Sequence, residues 1–278
     1  MDDRVAGKAL HAMRLLNQRL SPSSVPVSDK AAVIVDKNTA GRAVRRGEEI
    51  VRAGRRSDSI FLISEGMAIR YRILRDGQRQ ILNLLMPGDL AGITGFRFAK
   101  APYSTKFLTN GTVSPIPVSK FMNLLDTHPR IVAELLWYFT ADTVLGERLI
   151  TVSRRAAKER VAHFLIELFR RLQDVKLADE CSFRMPLTQE MISDALGLSV
   201  PYLNRVLREL RDDGLLRTRG RLVIIENFDR LSALADFEPG YLKPLSITEL
   251  LHEQGKRISH SQVAMSARLE ARDARPDC

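Results

Sequence analysis

Between residues 47 and 118 the chain alternates short apolar runs with polar turn pairs. Strand-like runs occupy residues 59–63, 68–73 and 80–85. In the second run Ile69, Tyr71 and Ile73 alternate with Ala68, Arg70 and Arg72, which predicts one buried face and one wet face. The runs are separated by Glu65-Gly66, Asp76-Gly77, Pro87-Gly88-Asp89 and Asn110-Gly111, the first three at 11–12-residue spacing. Antiparallel strands joined by tight turns fit that rhythm, and an all-β roll or barrel follows.

After Ser119 the period becomes helical. Ile131, Leu135, Tyr138, Asp142, Leu145, Leu149 and Val152 follow alternating steps of four and three. Val132, Leu136, Phe139, Thr143, Gly146 and Ile150 repeat the pattern one position on. A surface helix needs one apolar stripe, so two adjacent stripes imply two partners. The first stripe is read as a dimerisation seam against a second copy of the helix, with Asp142 breaking a perfect zipper. Burial of the helix within one subunit is the alternative.

A second amphipathic helix is expected over residues 157–172, with Val161, Phe164, Leu165, Leu168, Phe169 and Leu172 on its stripe. Residues 173–183 read as a connecting loop. At the N-terminus Leu10, Met13 and Leu20 share a helical face, before Pro22 and Pro26 break it. Residues 244–278 hold five basic and five acidic residues and are expected to carry a short helix, then to fray.

The sharpest local pattern runs from Leu187 to Ile225. Thr188 suits a helix N-cap, Ile192, Ala195 and Leu196 point inward, and Gly197 stands where a left-handed cap belongs. Ser199 suits the cap of a second helix that tolerates Pro201 in its first turn. Leu203, Val206, Leu207 and Leu210 form its apolar stripe. Pro201, Asn204, Arg205 and Arg208 point away from that stripe, with Tyr202 on a flank. Asn and Arg suit bidentate contacts with adenine and guanine edges in the major groove. A helix, glycine corner and second helix so equipped have helix-turn-helix geometry. Residues 214–225 then predict a hairpin turning at Arg219-Gly220, its tip carrying Arg217, Arg219 and Arg221 for phosphates. Together these pieces predict a winged helix-turn-helix.

Composition removes other classes. The 278 residues suggest about two domains. The most apolar stretch, 131–149, contains Glu134, Asp142 and Glu147, which argues against a membrane span. No apolar signal core develops near Met1. Two cysteines, Cys181 and Cys278, can form neither a disulfide framework nor a four-thiolate metal site, and a reducing cytoplasmic setting is expected. The net charge of +10 permits a polyanionic partner. It lies outside the helix-turn-helix, however, since residues 186–230 hold seven Arg and seven acids. No G-x-S-x-G, H-E-x-x-H or phosphate loop suggests an enzyme.

Taken in order, residues 40–230 resemble the Crp/Fnr family of bacterial transcription regulators. Leu187-Thr188-Gln189-Glu190, Ala195 to Ser199 and Asn204-Arg205-Val206-Leu207 resemble its DNA-binding motif. Gly47-Glu48, Gly54, Glu65-Gly66, Asp76-Gly77 and Pro87-Gly88-Asp89-Leu90 are similar to its cyclic-nucleotide-binding roll. The resemblance implies an α+β chain: an N-terminal helix and linker (1–38), an antiparallel β-roll sensor (39–128), a long dimerisation helix (129–153), a winged helix-turn-helix (154–230) and a partly disordered tail (231–278). It implies a homodimer on a two-fold symmetric double-stranded DNA operator, in contact with RNA polymerase. Expected DNA contacts are Thr188, Gln189, Ser199, Val200, Pro201, Tyr202, Asn204, Arg205, Arg208, Arg217, Arg219 and Arg221. Arg205 falls on the family's base-reading arginine, and Val200 on a position that separates Crp-like from Fnr-like members. Pro201 stands where many members carry a base-reading Glu, which puts their usual operator in doubt.

The sensor half departs further from the family. Cyclic-nucleotide binders follow the phosphate-side Gly with Glu, and later supply Arg. Here Ile93 follows Gly92, and Ala101 to Lys106 contains no Arg, although Lys100 or Lys106 could substitute. A cyclic phosphate would lose its charge-assisted clamp, so no cyclic nucleotide is expected. No Fnr-type iron–sulfur cluster is expected either, because residues 1–180 lack cysteine. Haem stays open, with His11, His128 and His163 read as ordinary histidines. Cys181, just before the DNA-binding motif, is read as an inert loop thiol or, alternatively, a redox sensor. The competing functional reading is a sensor with a redox or small-molecule input that acts through protein–protein contacts.

Overall fold

A computed structural model describes residues 41–127 and 139–242, apart from 97, 141, 148 and 149. The N-terminal half is built from β1 (Arg42–Val44), β2 (Glu49–Val51), β3 (Ser59–Glu65), β4 (Ala68–Ile73), β5 (Arg79–Leu85), β6 (Leu90–Ala91), β7 (Ser104–Phe107) and β8 (Gly111–Pro117). They form two antiparallel sheets, ordered β1-β8-β3-β6 and β2-β7-β4-β5. Val44, Val51, Ile63, Ala68, Leu85, Phe107 and Val113 fill the space between them. The recurrent turn glycines serve this closure. Gly66 adopts φ +82°, and a Cβ there would lie 2.7 Å from the Asn110 carbonyl, so two turns can cross only because the site has no side chain.

Strand β4 corrects the alternation read from sequence. Ala68, Ile69, Arg70 and Tyr71 are all buried, while Ile73 is 54% exposed. A bulge between Arg70 and Tyr71 breaks the two-residue period, and both faces of this stretch are covered. Ile73 lies beyond the cover, near the hairpin turn.

Helix α1 (Val118–Thr127) leaves the roll with Phe121 and Leu124 buried. The long helix is described only in part, as helical residues 139–140, 142–147 and 150–153. Ile131, Leu135, Tyr138 and Leu149 of the expected seam lie outside the described residues. The seam residues that are described face inward. Asp142 bonds to Arg70 and Asn83 of the roll, Leu145 lines a cavity against it, and Val152 is buried. Thr143, Gly146 and Ile150 of the other stripe are exposed, Ile150 by 73%. Within the protomer Asp142, Leu145 and Val152 of the first stripe thus pack against the protein's own elements, while Thr143 and Ile150 of the second are the more open to solvent.

The C-terminal unit comprises α2 (Ala157–Asp174), β9 (Ser182–Arg184), α3 (Gln189–Leu196), α4 (Val200–Asp212), β10 (Leu216–Arg219), β11 (Leu222–Ile225) and α5 (Phe228–Ala235), followed by a 3-10 turn at Pro239–Leu242. Strand β9 begins inside the expected loop and ends one residue beyond it. It is three residues long and exists by pairing with β11, so its own sequence carries no strand period. Leu231 and Ala235 are fully buried, and Tyr241 donates to Glu167 at 3.0 Å. The packed unit therefore runs past the expected boundary at 230, at least to Leu242.

One hydrophobic core spans both halves. Ile69, Tyr71, Ile81 and Leu84 of the roll join Val161, Leu165, Leu168 and Phe169 of α2 and Leu203, Val206 and Leu210 of α4. Polar bonds cross the same seam. Arg171, 9% exposed, donates to the Leu84 carbonyl at 2.6 Å and to Asn83 Oδ1 at 3.1 Å. Arg79 of β5 meets Asp194 of α3 at 2.6 Å.

Candidate nucleic-acid interface

The caps expected from sequence are formed. Thr188 accepts from the Met191 amide at 3.2 Å at the start of α3. Gly197 closes that helix at φ 61°, ψ 43°, the left-handed region that glycine enters without steric cost. Ser199 accepts from the Tyr202 amide at 3.4 Å and starts α4, with Pro201 in the first turn, where a missing amide hydrogen costs nothing. Leu203, Val206 and Leu210 then bury the inner face of α4.

The outer face of α4 presents Pro201, Tyr202, Arg205 and Arg208, all exposed, with Val200 and Asn204 half-buried at its margins. Thr188, Gln189 and Ser199 are exposed around the corner. The structure thus gathers the expected reading residues on one side of one short helix. Arg205 is not free-swinging: its guanidinium lies 4.5 Å from the Tyr202 ring centroid, and its Nε lies 3.9 Å from Glu209.

The wing is more selective than its sequence suggests. Arg219 pairs in register with Leu222, so the turn is Gly220-Arg221, one residue later than expected. Arg219 is exposed beside it. Arg217 is neutralised by Glu226 at 2.6 Å. Arg221, exposed on the surface, lies back along the protein and donates to the carbonyls of Met185 at 3.0 Å, Pro186 at 2.8 Å and Leu187 at 3.4 Å. Its side chain fastens the wing to the segment that enters α3, so two of its guanidinium nitrogens are already engaged within the protein. A count of arginines without acids between 214 and 225 could reveal neither partner, since Glu226 lies one residue outside and the three carbonyls belong to backbone. Arg184, at the end of β9, is exposed on the same sheet and carries no local signal of its own, since it lies between the expected loop (173–183) and the motif that begins at Leu187. Cys181 is exposed beside this sheet, its carbonyl accepting from Ile225 at 2.8 Å.

A cavity of about 160 Å³ lies between the roll, the long helix and α2, lined by Arg70, Asn83, Tyr103, Asp142, Leu145 and Phe164 among others. Arg70 stacks 4.8 Å from the Tyr103 ring centroid. Its partner set comes from elements far apart in sequence, and no local pattern announced it. Elsewhere in the roll Ile93 is buried, and Ser104 accepts from the Ala53 amide at 3.0 Å. Among the described residues no helix is long and apolar enough to cross a membrane.

Comparison with known proteins agrees with this architecture. Residues 41–128 match the cyclic nucleotide-binding domain family, and residues 159–234 match the Crp-like helix-turn-helix domain. The chain is 26% identical over 242 residues to the transcriptional activator protein Anr of Pseudomonas aeruginosa, an alignment covering 84% of this chain and 98% of that one. It is 27% identical over 196 residues to the fumarate and nitrate reduction regulatory protein of Salmonella typhimurium, covering 70% and 78%. The structure of FixK2 from Bradyrhizobium japonicum superposes with a TM-score of 0.64 at 25% identity, covering 70% of this chain and 96% of that one. A CRP/FNR-family regulator from Thermus thermophilus, at 20% identity and a TM-score of 0.58, shares the fold over 71% and 98%. With both domains matched in order, and a capped second helix turning a basic face outward, the chain is a DNA-binding transcription regulator of the Crp/Fnr family.

Proposed function

We propose that the protein acts as a cytoplasmic homodimer that reads a two-fold symmetric operator, and that it regulates transcription through contact with RNA polymerase and without a catalytic step. The observation that carries this reading is the outer face of α4, where Pro201, Tyr202, Arg205 and Arg208 stand clear of the core that holds Leu203, Val206 and Leu210. Arg205 takes the base-reading role and Asn204 lies beside it. Thr188, Gln189 and Ser199 approach the backbone, and Arg219 supplies the wing's phosphate contact. The second helical stripe, ending at exposed Ile150, is the natural seam between copies.

The input is neither a cyclic nucleotide nor an iron–sulfur cluster. Support comes from Ile93, an apolar buried side chain where cyclic-nucleotide binders of the family carry an acid, and from the lack of cysteine before Cys181. Selection of bound duplexes from a pool with a randomised centre tests the whole reading. An inverted repeat with half-sites about 34 Å apart supports it, and unselected sequence in the bound fraction overturns it.

A further inference from the structure

We infer that Tyr202 is a positioning residue that sets the orientation of Arg205 and thereby the base preference at the pair Arg205 reads. The inference rests on the reading of α4 just given. Tyr202 and Arg205 are three residues apart on one helix, so their side chains are neighbours on its surface. Side chains lean toward the helix N-terminus, which carries Arg205 back over the turn that bears Tyr202. The guanidinium carbon lies 4.5 Å from the ring centroid, within cation–π range.

This contact matters because of what Pro201 and Glu209 do. Pro201, in the first turn, offers no side-chain acceptor that could steer an arginine. Glu209, one turn along, is an acceptor, and its carboxylate stands 3.9 Å from Arg205 Nε. A closed ion pair with Glu209 would draw the guanidinium along the helix and occupy one of its donors. Stacking on Tyr202 holds the cation by its face and leaves the in-plane N–H fork free. A bidentate contact with guanine needs that fork in a fixed plane. Tyr202 is 38% exposed, so the ring is a surface platform and not a core side chain, and its removal leaves Leu203, Val206 and Leu210 in place.

The test is selection from the same randomised duplex pool by the full chain and by Y202A, Y202F, R205A and Y202A/R205A. We expect R205A to erase preference at one base pair in each half-site. Y202A should lower the preference at that same pair by about tenfold, Y202F should retain it, and Y202A should add nothing in the R205A background. Equal loss of binding to all sequences in Y202A, with that base preference intact, overturns the inference and leaves the reading of α4 standing. Unchanged preference in R205A overturns both. An additive effect of Y202A on top of R205A shows that Tyr202 acts on its own, and also overturns the inference.

Discussion

The Arg70 guanidinium of β4 donates to Asp142 of the long helix at 2.8 Å, and Asn83 of β5 donates to the other carboxylate oxygen at 3.0 Å. Arg70 is 6% exposed. Removing Asp142 alone would take its charged partner on the long helix from a buried cation, at a cost of about 3 kcal/mol. We expect D142A to lower the urea midpoint by that equivalent, and Arg70→Met with Asp142→Leu to recover much of it. A D142A midpoint equal to that of the unmodified chain would show that the pair is idle.

Arg79 joins the roll to the first helix of the DNA-binding motif, with Asp194 at 2.6 Å and Glu190 at 3.7 Å. The pair is partly exposed, so Arg79→Ala should cost about 1 kcal/mol or less. Its effect should be local. Amide exchange should quicken in α3 (Gln189–Leu196) while the strands of the roll keep their protection.

The arginines of α4 and the wing should separate by kind of loss. Arg205→Ala should cost about 1–3 kcal/mol on the preferred site and relax one base position. Arg219→Ala should weaken binding to every duplex and reduce the salt slope by about 1. Arg221→Ala should leave the salt slope unchanged and lower stability, because three backbone carbonyls lose their donor.

Ile150→Asp should convert the proposed dimer to a monomer in sedimentation equilibrium without unfolding it, because the side chain is 73% exposed in the protomer. Leu145→Asp should instead destabilise the protomer, since Leu145 lines the internal cavity.

Tyr71 should titrate late. Burial, then its hydrogen bond to Glu49, push its hydroxyl up to about 12 from an ordinary value of 10.0. A raised value in the folded state means that the native chain holds the proton more tightly. The resulting stability is complete below pH 10 and is lost as pH rises from 10 toward about 12. Tyr71→Phe should flatten that alkaline limb relative to the unmodified chain, which urea titrations across the range will read.

The helix-turn-helix was legible because its signals are local. Thr188, Gly197, Ser199 and Pro201 each act within four residues of themselves, and the structure places all four as their chemistry requires. Strands β3 to β5 were legible for the same reason, through the turns at Gly66 and Gly77. What escaped was long-range. Arg70 looked solvent-facing because its strand alternates, yet its partners lie on other elements. The bonds of Arg221 to three carbonyls were hidden as well, because backbone acceptors leave no trace in composition. The two stripes of the long helix were both visible, but which of them faces the roll depends on Asp142 meeting Arg70, a contact 72 residues apart.

Arg171 belongs to the C-terminal unit by sequence and bonds within the N-terminal roll, at the Leu84 carbonyl and Asn83. Severing the chain near residue 154 would leave that guanidinium without its acceptors and lay open the apolar residues around it. The halves are consequently poor interchangeable parts. A chimera that grafts this reading head onto another sensor must bring the matching strand with it, or choose a host strand that offers a carbonyl and an amide oxygen at the same two places.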